Sequence, residues 1–288
     1  MNPTLIGAGA IALWSTLALL TVVAREVPPF QLTAMCFAIG GAIGLIWTAR
    51  GRGFGALRGL GWRVWALGVG GLFGYHFFYF TALRNAPPAE AGLIAYLWPL
   101  LIVLFSGLLP GERLRAGHVV GALVALAGAA LILADADLSF EGAHSAGYGA
   151  AILCALLWSG YSVLSRRVGT APTESVALFC IATAVLSGLA HLALEQTVWP
   201  ASAAAWAGVI LLGLGPVGAA FYLWDIGVKR GNIQLLGTAS YAAPLLSTLL
   251  LVLTGVAEAG WTLAVAAVLI TGGAVIAARA GSGRRVRS

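Results

Sequence analysis

The sequence predicts an all-α integral membrane protein of ten transmembrane helices, and three observations carry that reading. Of 288 residues 60% are hydrophobic and 9% charged, where a soluble domain would have about a quarter of its residues charged. The apolar residues fall into runs long enough for a bilayer-spanning helix, which needs about 20. The formal charge of +6 is scattered in short basic clusters between those runs, a pattern that fits a membrane surface better than a nucleic acid.

The runs follow one another at about 4–24, 30–49, 63–83, 89–109, 116–134, 146–165, 174–194, 205–228, 232–254 and 260–279. No Lys or Arg precedes the first, and it is longer than a signal-peptide core, so it is expected to stay as a span. The second and seventh contain Cys36 and Cys180, and the sixth Cys154; none has metal-ligand spacing, and small buried thiols are expected. The third holds Gly68 to Gly74 and then Tyr75-His76-Phe77-Phe78-Tyr79-Phe80. Asn85-Ala86-Pro87-Pro88 joins it to the fourth, and Arg230-Gly231 joins the eighth to the ninth, so two tight helical hairpins are expected. The fifth and tenth are plain apolar runs. The eighth carries Gly213, Gly215 and Gly218, which, like the earlier glycines, allow close packing or hinging. No segment is long enough for a separate soluble domain.

Basic residues set the orientation. With the N-terminus inside, 14 of the 16 Lys and Arg fall on the inner side and only Arg25 and Arg84 on the outer. Both termini are therefore expected in the cytoplasm. An acidic loop with Asp135, Asp137 and Glu141 then lies outside.

The chain also repeats itself. Trp14-Ser15 recurs as Trp158-Ser159, Cys36 as Cys180, Tyr96 and Pro99 as Tyr241 and Pro244, and Glu112 as Glu258, at offsets of 144 to 146. Two five-helix repeats, 1–140 and 141–288, are expected. Because each holds an odd number of spans, the second is inverted in the membrane, an arrangement that holds substrate near the midplane between the halves.

The fourth run contains Tyr96-Leu97-Trp98-Pro99 near its middle. Pro99 removes a backbone donor and frees the carbonyl of Ala95, which needs protein or a wet cavity as partner. Pro244 does the same in the ninth. Trp47, Trp62, Trp65, Trp199, Trp206 and Trp261 fall at span ends, where an aromatic belt explains them. Trp224 lies toward the inner end of its span. Trp14, Trp98 and Trp158 lie near span centres, where each indole N–H must face either a packed helix or a cavity. His76 is the one ionisable side chain, phenols aside, near a midplane; it is a candidate site residue or a histidine bonded between helices. Tyr79 shares its helix face. In an ideal helix Trp98 points roughly 160° away from Tyr96, so both face one pocket only if Pro99 distorts the turn.

Asp225, four residues before Lys229, reads as a salt bridge, Glu90 as a rim residue beside Arg84 reaching outer water, and Glu112 and Glu258 as helix caps. No metal-ligand cluster, HExxH, Ser/His/Asp order or cofactor loop is present in the sequence, so neither enzyme nor cofactor is expected.

The hairpins Ala82 through Pro99, Gly111-Glu112-Arg113-Leu114 and Gly227 through Pro244 resemble those of the drug/metabolite transporter superfamily, in its ten-span, EamA-like branch. Ala95-Tyr96-Leu97-Trp98-Pro99 with Trp14-Ser15 resembles more narrowly the YddG-type aromatic amino-acid exporters. The resemblance implies export of amino acids across a bacterial inner membrane by alternating access, with a multidrug or other small-metabolite exporter, proton-coupled or not, as the alternative. The second copy, Tyr241-Ala242-Ala243-Pro244, lacks the Trp, so an asymmetric cavity is expected.

An amino acid carries both charges, yet no fixed charge pair lies at the midplane to meet them. The expected pocket is Trp98, Tyr96, His76, Tyr79, Trp14, Ser15, Trp158, Ser159 and Tyr241, with Pro99 and Pro244 at the helix breaks. Aromatic faces can hold an ammonium by cation–π attraction of about 0.5–2 kcal/mol each. Without a buried carboxylate at the midplane, facilitated diffusion of a small-molecule substrate is expected. Nucleic acid is not an expected partner; monomer and homodimer stay open.

Overall fold

The computed structural model describes residues 1–133, 138, 140–168, 171–258 and 260–282. Asp135, Asp137, Arg284, Arg285 and Arg287, used above to orient the chain, lie outside the described residues. Among those described the chain is helical, without strands, and has ten helices long and apolar enough to cross a membrane. They are α1 (Pro3–Val23), α2 (Pro29–Arg50), α3 (Trp62–Asn85), α4 (Pro88–Ser106), α5 (Ala116–Leu133), α6 (Gly142–Arg167), α7 (Ser175–Leu194), α8 (Ala203–Arg230), α9 (Ile233–Leu253) and α10 (Trp261–Gly281). Their outward surfaces expose large apolar side chains such as Leu192, Leu253 and Val268, as lipid contact demands.

Five spans are interrupted along their length, and in three of them the cause is local. In α1 the helix stops after Trp14 and resumes at Leu17. There the Ser15 and Thr16 hydroxyls donate to the carbonyls of Ala12 and Leu13 at 2.6 and 2.7 Å, a back-bonding that bends helices. In α4 the helix stops at Ala95 and restarts at Trp98. Pro99 is the second residue of the new segment, where a missing N–H costs little. In α9 the same happens between Ala239 and Ala242, just before Pro244. One π-helical turn interrupts α3 at Gly70–Gly74 and another interrupts α8 at Gly215–Ala219.

These departures keep the sequence offset. The π turns begin 145 residues apart (215 − 70), and the stops at Ala95 and Ala239 are 144 apart. The packing follows the same rule. Helix α1 packs on α8, α3 on α6, α2 on α7, α4 on α9 and α5 on α10. Exchanging each span with the one five later turns the first pair into the second and returns the other three unchanged. Small residues permit two of these contacts. A Cβ on Gly227 would lie 2.6 Å from the Cα of Gly7, and one on Gly121 would lie 2.5 Å from the carbonyl oxygen of Gly273.

The face on which the chain begins is here termed the terminal face. The bundle is closed there and parted toward the other face. Helices α4 and α9 meet through their terminal-side segments, Trp98–Ser106 and Ile233–Ala239. A Cβ on Gly237 would lie 3.0 Å from Val103 Cγ2 and 3.1 Å from the Pro99 carbonyl. Their other segments, Pro88–Ala95 and Ala242–Leu253, share no comparable contact among the described residues. Likewise α6 packs on the terminal-side segment Ala220–Arg230 of α8, whereas the counterpart, Tyr75–Asn85 of α3 against α1, has no comparable contact.

Glu90 corrects an expectation. It is 1% exposed rather than a solvated rim residue. The chain leading into α6 folds over the first turn of α4, and the Glu90 carboxylate accepts the Phe140 N–H at 3.0 Å and the Tyr148 hydroxyl.

Candidate functional site

The helix breaks converge on one cluster of aromatic rings at mid-depth. Trp14 is its hub. Its ring centroid lies 5.0 Å from Trp224, 5.7 Å from Trp158, 6.1 Å from Trp98 and 6.3 Å from Phe221. Most of these rings meet edge to face, the geometry favoured by the aromatic quadrupole. Trp98 and Trp158 are buried, and Trp224 is completely so. Together they make a floor on the side nearer the terminal face.

Above the floor, toward the parted face, stands a wall from α3 and α4. Tyr75 and Tyr79 stack in parallel at 6.0 Å, and Tyr75 lies 5.6 Å from Trp158. His76 fits edge-on between Phe37 at 5.0 Å and Tyr75 at 5.2 Å. Tyr96 lies 6.1 Å from Trp98, so the break between Ala95 and Trp98 does bring both rings to one side. Trp14, Tyr75, His76, Tyr79 and Tyr96 are all half-buried. Trp14, Tyr75, Tyr79 and Tyr96 pack against the buried core.

The π turns leave backbone carbonyls that side chains satisfy. Trp14 Nε1 donates to the Pro216 carbonyl at 3.1 Å, within the π turn of α8. His76 Nδ1 lies 2.7 Å from the Leu72 carbonyl, within the π turn of α3. A carbonyl can only accept, so Nδ1 carries the hydrogen, and Nε2 of the neutral ring is left as an acceptor. The Tyr79 and Tyr96 hydroxyls make no hydrogen bond among the described residues.

Other expected site residues are spent on the fold. The Ser15 hydroxyl is held by Ala12, and Ser159, fully buried, donates to the Ala155 carbonyl at 2.7 Å. Tyr241 is fully buried, and its hydroxyl accepts the Leu100 N–H at 3.1 Å. That amide is one of those released where α4 breaks, so the second half closes a break in the first. Pro99 and Pro244 are buried at the start of their segments. Conversely, Trp224, Tyr75, Phe37, Phe221 and Tyr161 join the cluster without being singled out from the sequence. Aromatic type and mid-span position marked Tyr75 and Phe37, but nothing local marked Trp224.

Polar ties lie at both faces. At the terminal face Arg166 of α6 pairs with Glu112 at 3.2 Å, and Gln234 of α9 donates to the same carboxylate at 3.1 Å. Asp225 and Lys229 pair at 2.9 Å as expected, with the Thr173 hydroxyl on the carboxylate at 2.7 Å. At the other face Glu195, 3% exposed in its side chain, gathers Arg84 at 2.7 Å, His191 at 3.0 Å and the N–H groups of Phe30 and Gln31.

Apolar spans on every side, with paired breaks at mid-depth around a cluster of aromatic rings, define a multi-pass membrane protein. The chain belongs to the EamA-like transporter family, whose model matches residues 3–134 and 145–279. It is 59% identical over 279 residues to the aromatic amino acid exporter YddG of Ancylobacter novellus, covering 96% of each chain. The proteins of the same name from Salmonella typhimurium and Escherichia coli are 27% and 25% identical, over 86% and 95% of both chains. A crystal structure of a protein 58% identical superposes with a TM-score of 0.92, covering 96% of this chain and 98% of its own.

Proposed function

We propose that this protein exports aromatic and other neutral amino acids across a bacterial inner membrane by alternating access, without coupling to an ion gradient. The observation that carries the reading is the cluster of aromatic rings at mid-depth, tryptophans beside tyrosines and His76, with no opposed pair of fixed charges at that depth among the described residues. An amino acid can lay an apolar or aromatic side chain on Trp14, Trp98 and Trp158. Its ammonium finds ring faces and the Nε2 acceptor of His76, each cation–π contact contributing about 0.5–2 kcal/mol. Its carboxylate finds the Tyr79 and Tyr96 hydroxyls. Such a site binds loosely, which suits an abundant solute moving down its own gradient. The name carried by the relative 59% identical supports the same substrate class.

The pairing of spans supports two inverted repeats, 1–140 and 141–288, and the excess of Lys and Arg on the terminal side supports cytoplasmic termini. The match of one family model to two stretches also supports the repeats. The present arrangement is then open to the outside. Transport parts the terminal-side segments of α4 and α9 while their outer segments meet, the same motion applied to the other half. Counterflow in proteoliposomes with a panel of amino acids tests this. Aromatic and neutral amino acids should exchange, and an imposed pH gradient should drive no accumulation. Exchange of organic cations without amino acids would assign the cluster to drug export instead, and accumulation on a pH gradient would refute the uncoupled mechanism.

A further inference from the structure

The terminal face carries a recess, apart from the aromatic cluster, with a volume of about 520 Å³. Four helices and the link between α4 and α5 contribute to it. Glu112, Arg113 and Arg115 come from the link between α4 and α5, and His118 from the first turn of α5. Arg166 closes α6, Asn232 and Gln234 open α9, and Ala280 and Gly281 end α10. Three guanidinium groups face one carboxylate, and Glu112 is already engaged by Arg166 and Gln234. Arg115 is fixed by donating to the Ala280 carbonyl at 2.6 Å. Arg113 is exposed and has no ion pair among the described residues.

The independent observation is His118. It is 3% exposed, and its Nδ1 accepts the backbone N–H of Arg115 at 3.2 Å. A backbone N–H can only donate, so the ring hydrogen sits on Nε2. That Nε2 is buried and has no partner among the described residues. It lies beside Gly281, 3.8 Å from where a Cβ there would stand. A buried donor left unpaired costs free energy that a ligand acceptor would recover.

We propose that this recess binds a phosphate group, held by His118 Nε2 and by Arg113 and Arg115. Phosphate suits the site because several oxygens can accept from guanidinium and imidazole donors converging from different directions. The recess lies where α1–α10 meet the polar layer, so the group could come from the headgroup of an anionic phospholipid or from a soluble phosphate. The site also spans the closure between α6 and α9, so an occupant would add a bridge across the closed face.

The test needs no transport, so its failure leaves the proposed transport function untouched. The full-length protein is titrated in detergent with phosphatidylglycerol, phosphatidylcholine and inorganic phosphate, and thermal unfolding is followed. Phosphatidylglycerol should raise the melting temperature saturably while phosphatidylcholine does not; a saturable shift with inorganic phosphate as well would assign a soluble ligand. Arg113→Gln and His118→Leu should each weaken half-saturation by about tenfold or more, as loss of one charge-assisted bond implies. Because Arg113 is exposed, its variant keeps the test decisive if His118→Leu fails to fold. No shift with either phosphate source, or a wild-type response in Arg113→Gln, would overturn the proposal.

Discussion

Replacing Tyr241 by Phe isolates one bond between the halves. The ring is fully buried and its hydroxyl accepts the Leu100 N–H at 3.1 Å, so Phe fills the same space and removes only the acceptor. The Leu100 amide lies at the break of α4, where the helix no longer supplies a carbonyl for it. A buried donor stripped of its partner costs about 1–3 kcal/mol. At about 2–4 °C per kcal/mol for a chain of this size class, the melting temperature should fall by about 2–12 °C. Tyr96→Phe is the control, since its ring lies 6.3 Å from Tyr241 but its hydroxyl makes no bond among the described residues. It should change stability by less than about 0.5 kcal/mol. Thermal unfolding of both variants in one detergent, with monodisperse elution before heating, reads the difference. Equal melting temperatures for wild type and Tyr241→Phe, or equal losses in the two variants, would refute the assignment of Tyr241 as the partner of the break.

Trp98→Ala and Tyr96→Ala should each abolish amino-acid counterflow while the protein still elutes as a folded species; wild-type rates in both would remove these rings from the pathway. Gly121→Val should destabilise by about 1–3 kcal/mol through overpacking, because its Cβ would lie 2.5 Å from the Gly273 carbonyl, and a wild-type melting curve would mean that α5 and α10 can separate freely. Glu112→Gln should loosen the terminal face, since Arg166 loses its ion pair. Spin labels at Leu108→Cys and Arg230→Cys should then populate longer distances than in the parent, and an unchanged distribution would show that the tie does not hold the closure.

The sequence made the spans, the hairpins and the halting of α4 legible, because length, apolar runs and proline act locally. It also marked Trp14, Trp98 and Trp158 through their depth. It could not place Trp224, which sits six residues from the end of α8 yet lies 5.0 Å from Trp14. The tryptophan cluster is displaced toward the closed face, and which face is closed is a property of the whole bundle. Ser15 and Ser159 were ambiguous for another reason. A mid-helix hydroxyl can serve a ligand or its own preceding turn, and here both chose the turn. Glu90 shows the same limit, since only the path of the chain before α6 decides whether its carboxylate meets water or Phe140.

Tyr96 and Tyr241 occupy matching places in the two halves, yet only one of them is bonded across the interface. Tyr241 takes the N–H of Leu100; Leu245, at the offset of 145 from Leu100, donates no such bond to Tyr96 among the described residues. Two equivalent bonds would hold the molecule symmetrically and oppose any motion of one half against the other. One bond at a time gives a two-state element, provided the second forms when the first breaks. In the alternate arrangement the Tyr96 hydroxyl should therefore accept the Leu245 N–H, while Leu100 and Tyr241 part. The two conservative variants should then move the conformational balance in opposite directions. Tyr241→Phe removes about 1–3 kcal/mol from the arrangement described here, and Tyr96→Phe removes a similar amount from its opposite. With the same spin-label pair, Tyr241→Phe should enrich the long-distance population and Tyr96→Phe deplete it, each by about fivefold or more, since a factor of ten is 1.4 kcal/mol. A shift in the same direction for both would mean that the tyrosines act on one state only, and that the exchange between halves is not built on this pair.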